Sequence, residues 1–341
     1  MYNRPANSIR DLLHMLGVML YRLGFARSII QLRKKTPRVL LYHAVEDHVS
    51  PYTDRLGVSV STAMFEANLK YLARHYNLIT VEDLAKPNLP DNPVLITFDD
   101  GYTSVYDNAL PLLRKYRMPA CIYLIGCAVK GKLVWVNELN WALAMHPRKA
   151  LPICQQFPDL LGLETRSQIV DKVKTHFSPA NIRELSARLH EVVPFEKNHG
   201  LYSAPEQIEE MKKSDISFGF HTKDHYNLEN CDKHELMRQL DPSDLNGIVE
   251  SPSLAYPFGF FDSEAIGVAN DNGFQSIMTV GNNNNRFSSS HVDRIEVFSA
   301  DPATVFAKIE VEEPMIAAIR RVVLNVKSTR RWLHNVCFGS A

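Results

Sequence analysis

The sequence predicts an α/β barrel, and three observations carry that expectation. The apolar run Val94-Leu95-Ile96 closes on Thr97-Phe98-Asp99-Asp100-Gly101-Tyr102, so two adjacent acids stand where a strand should stop. Ile216-Ser217-Phe218-Gly219-Phe220 leads in the same way into His221-Thr222-Lys223-Asp224-His225, and Leu254-Ala255-Tyr256 leads into Pro257-Phe258-Gly259. A strand that ends in a polar turn is how an α/β scaffold presents its chemistry at one end of the sheet. A chain of 341 residues, 45% of them hydrophobic, supplies enough apolar side chains for a barrel with additions.

Taken in order, Ile9, Leu12, Leu13, Leu16, Met19, Leu20 and Leu23 recur at helical spacing and predict an amphipathic helix. The surrounding segment carries Arg4, Arg10, Arg22, Arg27, Arg33, Lys34, Lys35 and Arg38 against Asp11 alone. Such a helix suits either an anionic membrane surface or a place against the barrel's outside. Arg10, Asp11 and His14 interrupt the apolar stretch, so it does not read as a signal peptide, and no segment reaches the roughly 20 apolar residues of a spanning helix.

Leu40-Leu41-Tyr42-His43 reads as an opening strand, Phe65 to Leu72 as a helix and Leu78-Ile79-Thr80 as a second strand. Val105 to Arg114 reads as the helix that returns the chain after the acid pair, and Ala120 to Gly126 as the next strand. Residues 129–213 form a helical insertion between the strands bearing Ile125 and Phe220, which should place it near the catalytic face. Trp135 and Trp141, at helical spacing in it, suit either core packing or stacking on sugar rings. Arg294-Ile295-Glu296-Val297 reads as a late strand, and Asn282-Asn283-Asn284-Asn285 as a polar loop. The expected organisation is a basic amphipathic segment over 1–38, a barrel over 39–311 interrupted by 129–213, and a basic tail over 312–341.

Balanced charge, 38 basic against 38 acidic residues, argues against a nucleic-acid binder recognised by net basicity. Cys121, Cys127, Cys154, Cys231 and Cys337 show no metal-ligand spacing, which suits reduced core thiols in a cytoplasmic protein.

The chemistry is read from the strand ends. Neighbouring side chains on a strand point to opposite faces, so Asp99 and Asp100 can serve different partners, or can simply cap the next helix. His221 and His225 lie on one face if the segment turns helically, and with one carboxylate they supply three ligands and leave positions open for water, as catalytic metal sites do. Pro257 fixes its own backbone, while the Phe258 amide stays free to stabilise an oxyanion or merely to shape a turn.

In this order the three stretches resemble the motifs of the polysaccharide deacetylases of the NodB-homology group. Thr97 to Gly101 matches that family's Thr-Phe-Asp-Asp-Gly, and His221, Thr222 and His225 match its histidine motif. The resemblance covers about 39–126 and 214–298. It implies a distorted (β/α) barrel of about seven strands, with Asp99 as general base. Asp100, His221 and His225 would bind a divalent metal, zinc ahead of cobalt, nickel or manganese. Thr222, Tyr256 and Tyr102 would meet the substrate, and the Phe258 amide would hold the oxyanion. Two family features lack their counterpart. The arginine that orients the base is replaced by Ala255, so Asp99 needs another support, and the late histidine that protonates the leaving amine has no clear match. His291 is the nearest candidate, with His43 as the alternative.

The implied activity is metal-dependent removal of acetyl groups from an N-acetylated sugar in a polysaccharide, glycolipid or lipid-linked precursor. The basic ends suggest peripheral contact at the inner membrane face. The alternatives are an amidase or imide hydrolase acting on a small amide, and a non-catalytic carbohydrate-binding protein.

Overall fold

The computed structural model describes residues 9–196, 199–249, 252–280 and 291–319. The chain forms two compact units, Lys35–Phe298 and a second made of Met1–Lys34 with Ser299–Ala341. The polar loop 282–285, Arg4, Cys337 and the basic residues from Arg320 onward lie outside the described residues.

The larger unit is a closed parallel barrel. Its strands are β1 (Arg38–Tyr42), β2 (Pro93–Phe98), β3 (Ala120–Leu124), β4 (Ile216–Phe220), β5 (Ser253–Ala255), β6 (Ser276–Val280) and β7 (His291–Glu296). Each pairs with the next, and the ring closes because β1 pairs with both β2 and β7, with Leu40 beside Ile96 and Ile295. The expected second barrel strand is different. Asn77–Leu78 makes only a short pairing on the outer side of β2, beside Pro93 and Val94, because β1 already occupies the other edge of β2 and closes the ring.

β1, β2 and β3 are buried along their whole length, which is why they read as unbroken apolar runs. One interior layer holds Val39, Leu95, Cys121, Tyr123, Ala255 and Met278, with Val292 against it. Gly219 makes room for the Tyr123 ring, since a Cβ there would lie 2.4 Å from it.

Outside the ring, α1 (Thr62–His75) starts at Ser61, whose hydroxyl accepts from the Met64 amide at 3.2 Å. A π-type turn over Val105–Ala109 precedes α2 (Leu110–Tyr116). The insertion contributes α3 (Trp135–Met145), α4 (Pro147–Cys154), α5 (Arg166–His176), α6 (Pro179–Val192) and α7 (Pro205–Lys212). Its helices share a core with the barrel mouth, in which Trp135 and Trp141 are buried with Leu139, Ile169, Val173, Leu185, Tyr52 and Tyr102. α5 begins on a reciprocal cap between Thr165 and Gln168. Asn137 and Asn140 on α3 donate to the carbonyl of Tyr52 at 3.1 Å each, tying the insertion to the loop after β1.

The smaller unit contains a helix over Ile9–Arg22, a second over Ala26–Leu32 and a helical run over 302–312. Leu13 and Gly17 form the buried face of the first helix. A Cβ at Gly17 would lie 2.6 Å from Ala307, so only glycine permits that approach. Arg10 bonds Glu312 at 2.6 Å and Glu313 at 2.5 Å. Residues 302–311, which the sequence places at the end of the barrel segment, thus belong with the N-terminal helix.

Candidate active site

The acid pair follows β2 directly. The Asp99 amide donates to the Tyr42 carbonyl at 3.0 Å, which continues the pairing with β1 one residue past the strand. Asp100 then takes a left-handed backbone with φ 70° and Gly101 follows at φ 74°. The next residues are fixed by the insertion, because Thr103 donates to Leu201 and Ser203 to Gly101, both at 2.9 Å.

His221 continues β4, donating its amide to the Leu124 carbonyl at 2.8 Å. The helical turn expected after it does not form. Thr222 and His225 both adopt left-handed conformations, φ 61° and 59°, and the Thr222 hydroxyl accepts from the His225 amide at 3.1 Å. Thr222 is therefore a turn-forming residue that aims His225, with its buried hydroxyl accepting that bond. Asp100, Thr222, His225 and Phe258 are four of the eight non-glycine residues with positive φ among the described residues. Each such residue costs on the order of 1–3 kcal/mol, and such strain gathers where function over-determines the backbone.

The result is a compact donor set. Asp100 Oδ1 lies 3.5 Å from His221 Nε2 and 3.3 Å from His225 Nε2, and the two Nε2 atoms are 3.2 Å apart. The His221 Nδ1 sits 2.7 Å from the Ala255 carbonyl. A carbonyl only accepts, so Nδ1 carries the proton and Nε2 turns its lone pair toward the other two donors. Burial first, and then His221, push the His225 imidazole well below its ordinary pKa, which keeps it neutral and able to ligate. Asp100 Oδ1 is buried without a hydrogen-bond partner. Three ligand atoms within 4.8 Å of one another, all buried and two of them imidazole, fit a divalent cation of the zinc type.

Asp99 is served differently. Its two oxygens each accept a 2.6 Å bond from Arg294, Oδ1 from Nη1 and Oδ2 from Nη2. Arg294 rises inside the barrel from β7 with its side chain fully buried, and its guanidinium sits 5.4 Å above the Tyr123 ring. Burial favours the neutral acid, yet Arg294, with help from His221 and His43, overcomes it and holds Asp99 well below the usual carboxylate range. Burial raises the Asp100 pKa, opposed by His43 and His221 and reinforced by the charge of Asp99. The two adjacent acids are thus driven apart. This arginine stands where sequence reading did not look for it. The signal was the alternation on β7, where Val292, Arg294 and Glu296 share the inward face.

The same alternation removes His291. It has the opposite parity on β7, and its ring packs 6.1 Å from Tyr256 and 5.6 Å from Phe261, away from the cleft. Tyr256 borders the cleft, but its ring stacks on Phe261 at 4.6 Å on that outer side. His43, at the end of β1, does line the cleft with Asp99 and Asp100. Tyr102 is buried beside Asp100, stacks on Tyr202 at 5.6 Å and accepts from Asn137 at 3.0 Å, which makes it a strut between the acid motif and the insertion.

Phe258 closes one side. In its turn the Gly259 and Phe260 amides donate to Tyr256 and Pro257, which leaves the Phe258 amide as the donor that the turn does not use. Its ring lies 4.5 Å from that of His225 and 6.0 Å from Trp135, whose indole donates to the His225 carbonyl at 2.9 Å. Trp135 is therefore a buried support of His225 rather than a stacking platform for sugar. The remaining wall comes from α5, where Asp171, Lys174 and Thr175 face the cleft and Lys174 Nζ sits 4.8 Å over the Phe258 ring. The cavity measures about 380 Å³, within the usual range of small-ligand sites.

The profile described as Polysaccharide deacetylase matches residues 86–277. A Bacillus subtilis (strain 168) protein, YxkH, is 34% identical over 114 residues, 32% of this chain and 38% of the relative. Poly-beta-1,6-N-acetyl-D-glucosamine N-deacetylase of Staphylococcus aureus (strain MSSA476) is 36% identical over 72 residues, 20% of this chain and 25% of the relative. The chain thus spans well under half the length of these relatives. The solved structure of Streptococcus pyogenes deacetylase PplD in complex with acetate superposes with a TM-score of 0.54 at 18% identity, over 81% of this chain and 99% of that one, and shares the fold.

Proposed function

The chain belongs to the polysaccharide deacetylase family, and on that premise we propose that it hydrolyses the N-acetyl group of an acetylated sugar with the help of a divalent cation, zinc first among the candidates. The observation that carries the reading is the convergence of Asp100, His221 and His225 beside a carboxylate clamped by Arg294. When bound, a divalent cation supplies a Lewis acid for the acetyl carbonyl and lowers the pKa of water at the site towards about 7.

The chain's own residues do the rest. Asp99 is kept ionised, and a carboxylate has roughly four lone-pair positions, so the two bonds to Arg294 leave it able to accept a proton from the attacking water. The Phe258 amide, fixed by a left-handed backbone, donates to the carbonyl oxygen as that oxygen gains negative charge. His43 faces the same cleft and gives a proton to the departing amine, releasing acetate and a free amino sugar. Asp171, Lys174 and Thr175 meet the sugar on the wall opposite the barrel.

The test is acetate release from N-acetylglucosamine oligomers and from lipid-linked N-acetyl sugars, with metal analysis of the same protein. Release by the wild type and its loss in His43→Gln with metal retained support the reading. Ammonia released from simple amides, with no acetate from any sugar, would transfer the site to the amidase alternative.

A further inference from the structure

The N-terminal helix carries two apolar faces, and the smaller unit uses only one. Leu13 and Gly17 are its buried contacts. Ile9, Leu12, Met15, Leu16, Met19 and Leu23 lie on a different side, and each is between 40% and 64% exposed. With about 3.6 residues per turn, these six fall within roughly one third of the helix circumference, so they form one continuous stripe. The stripe runs into the turn at Phe25, and Leu32 on the following helix is more exposed still. Monomeric soluble proteins rarely leave so many large apolar side chains together in water.

The charges discriminate between occupants. Arg10 and His14 are engaged with Glu312 and Glu313. Arg22, Arg27 and Lys34 are exposed at the other end of the helix pair, and the sequence from Leu12 to Lys34 contains no acid. A second copy of this face would bring like charges together, whereas an anionic surface would neutralise them. Neither helix alone is long and apolar enough to cross a membrane, and the two, which together reach that length and composition, are bent by 118° where they meet. A helix that is too short to span, apolar on one side and basic at its end, lies in the plane of a membrane interface. We infer that the Ile9–Arg22 and Ala26–Leu32 helices dock flat on an anionic lipid surface, with the Leu12-Leu16-Met19-Leu23 stripe in the acyl boundary and Arg22, Arg27 and Lys34 at the headgroups. The inference is independent of the deacetylase reading.

The experiment is flotation of the full chain with phosphatidylcholine vesicles, with and without phosphatidylglycerol, at low and high salt. The protein should float with the anionic vesicles, and binding should weaken as salt rises. Leu12→Gln/Leu16→Gln, at exposed positions, should reduce binding at least about tenfold with the melting temperature unchanged. Arg22→Gln/Arg27→Gln should flatten the salt dependence. Absence of flotation with anionic vesicles overturns the inference. So does a wild-type dimer in solution that Leu12→Gln/Leu16→Gln converts to monomer, because the stripe would then be a contact between copies.

Discussion

The floor and the wall of the cleft are built from the same chemistry set and behave as different materials. The floor, at the ends of β2 and β4, holds Asp99, Asp100, His221 and His225, all between 1% and 6% exposed. The wall, on α5, holds Lys174 and Asp171 with side chains 25% and 61% exposed and 4.0 Å apart. On the wall Asp171 keeps water as its partner and Lys174 keeps part of it, so their neighbours matter less. A charge on the floor has surrendered water, so every neighbour is compulsory. Substitutions on the floor should therefore strike chemistry and stability together, while those on the wall should strike binding alone.

The largest effect is expected from His225→Ala or Asp100→Ala. Either should lose the bound cation, measured by elemental analysis, and about 10³-fold or more in acetate release. Asp99→Asn should keep the metal and lose about 10²- to 10⁴-fold, seen in kcat. Metal loss in Asp99→Asn would show that the floor does not divide its two acids as described.

Arg294→Met is the sharper probe, because it leaves Asp99 buried without its cation. A cost of about 3–5 kcal/mol in denaturant unfolding is expected, and Asp99→Asn/Arg294→Met should recover much of it. The pH dependence follows from the same pair. Asp99 is held below its unfolded value of about 3.9, so its contribution to stability is present above that pH and is lost as pH falls toward the folded value. In Arg294→Met, burial is no longer opposed by the guanidinium, and the acidic limb of activity should move upward. An unmoved limb would mean that some other group sets it.

On the wall, Lys174→Ala should raise KM a few-fold, with stability changed by no more than about 0.5 kcal/mol. Burial, only partly opposed by Asp171 and Asp100, lowers the Lys174 pKa, so its share in binding should fade at alkaline pH before that of a free lysine. The smallest effect is expected between the two regions. Trp135→Phe keeps the ring but removes the indole bond to the His225 carbonyl, worth about 1 kcal/mol. It should appear as weaker metal retention with nearly normal melting.

Much of the floor was legible in the sequence because its residues sit one or two positions past apolar runs. Those runs become strands, and strand ends converge in a barrel whatever the loops do. The reason His221 and His225 meet was not legible. Spacing of four residues suggests a helix, yet two left-handed residues and a hydroxyl bond close the turn instead. Left-handed backbone at threonine and phenylalanine has no composition signal, because nothing in those side chains asks for it. Arg294 was missed for a different reason. Its partner lies 195 residues earlier, and only the inward parity of β7 relates them. The same parity would have excluded His291, since two residues separated by an odd number on a strand cannot both face the cleft. The insertion's position near the mouth followed from the strands it joins, but which of its helices supplies the wall did not. That depends on how the core around Trp141 and Val173 packs.

The origin of Arg294 on the last strand also sets the smallest piece of chain that can hold Asp99 ionised. Residues 86–277 contain both acids, both histidines and Phe258, and still omit the counter-ion of Asp99. They also omit β1 and β7, which together close the ring between β2 and β6, so a fragment trimmed to that stretch has an unsealed gap where the guanidinium should rise. The motifs can be counted in such a fragment, but an ionised Asp99 cannot, because its ionisation is a property of the closed ring.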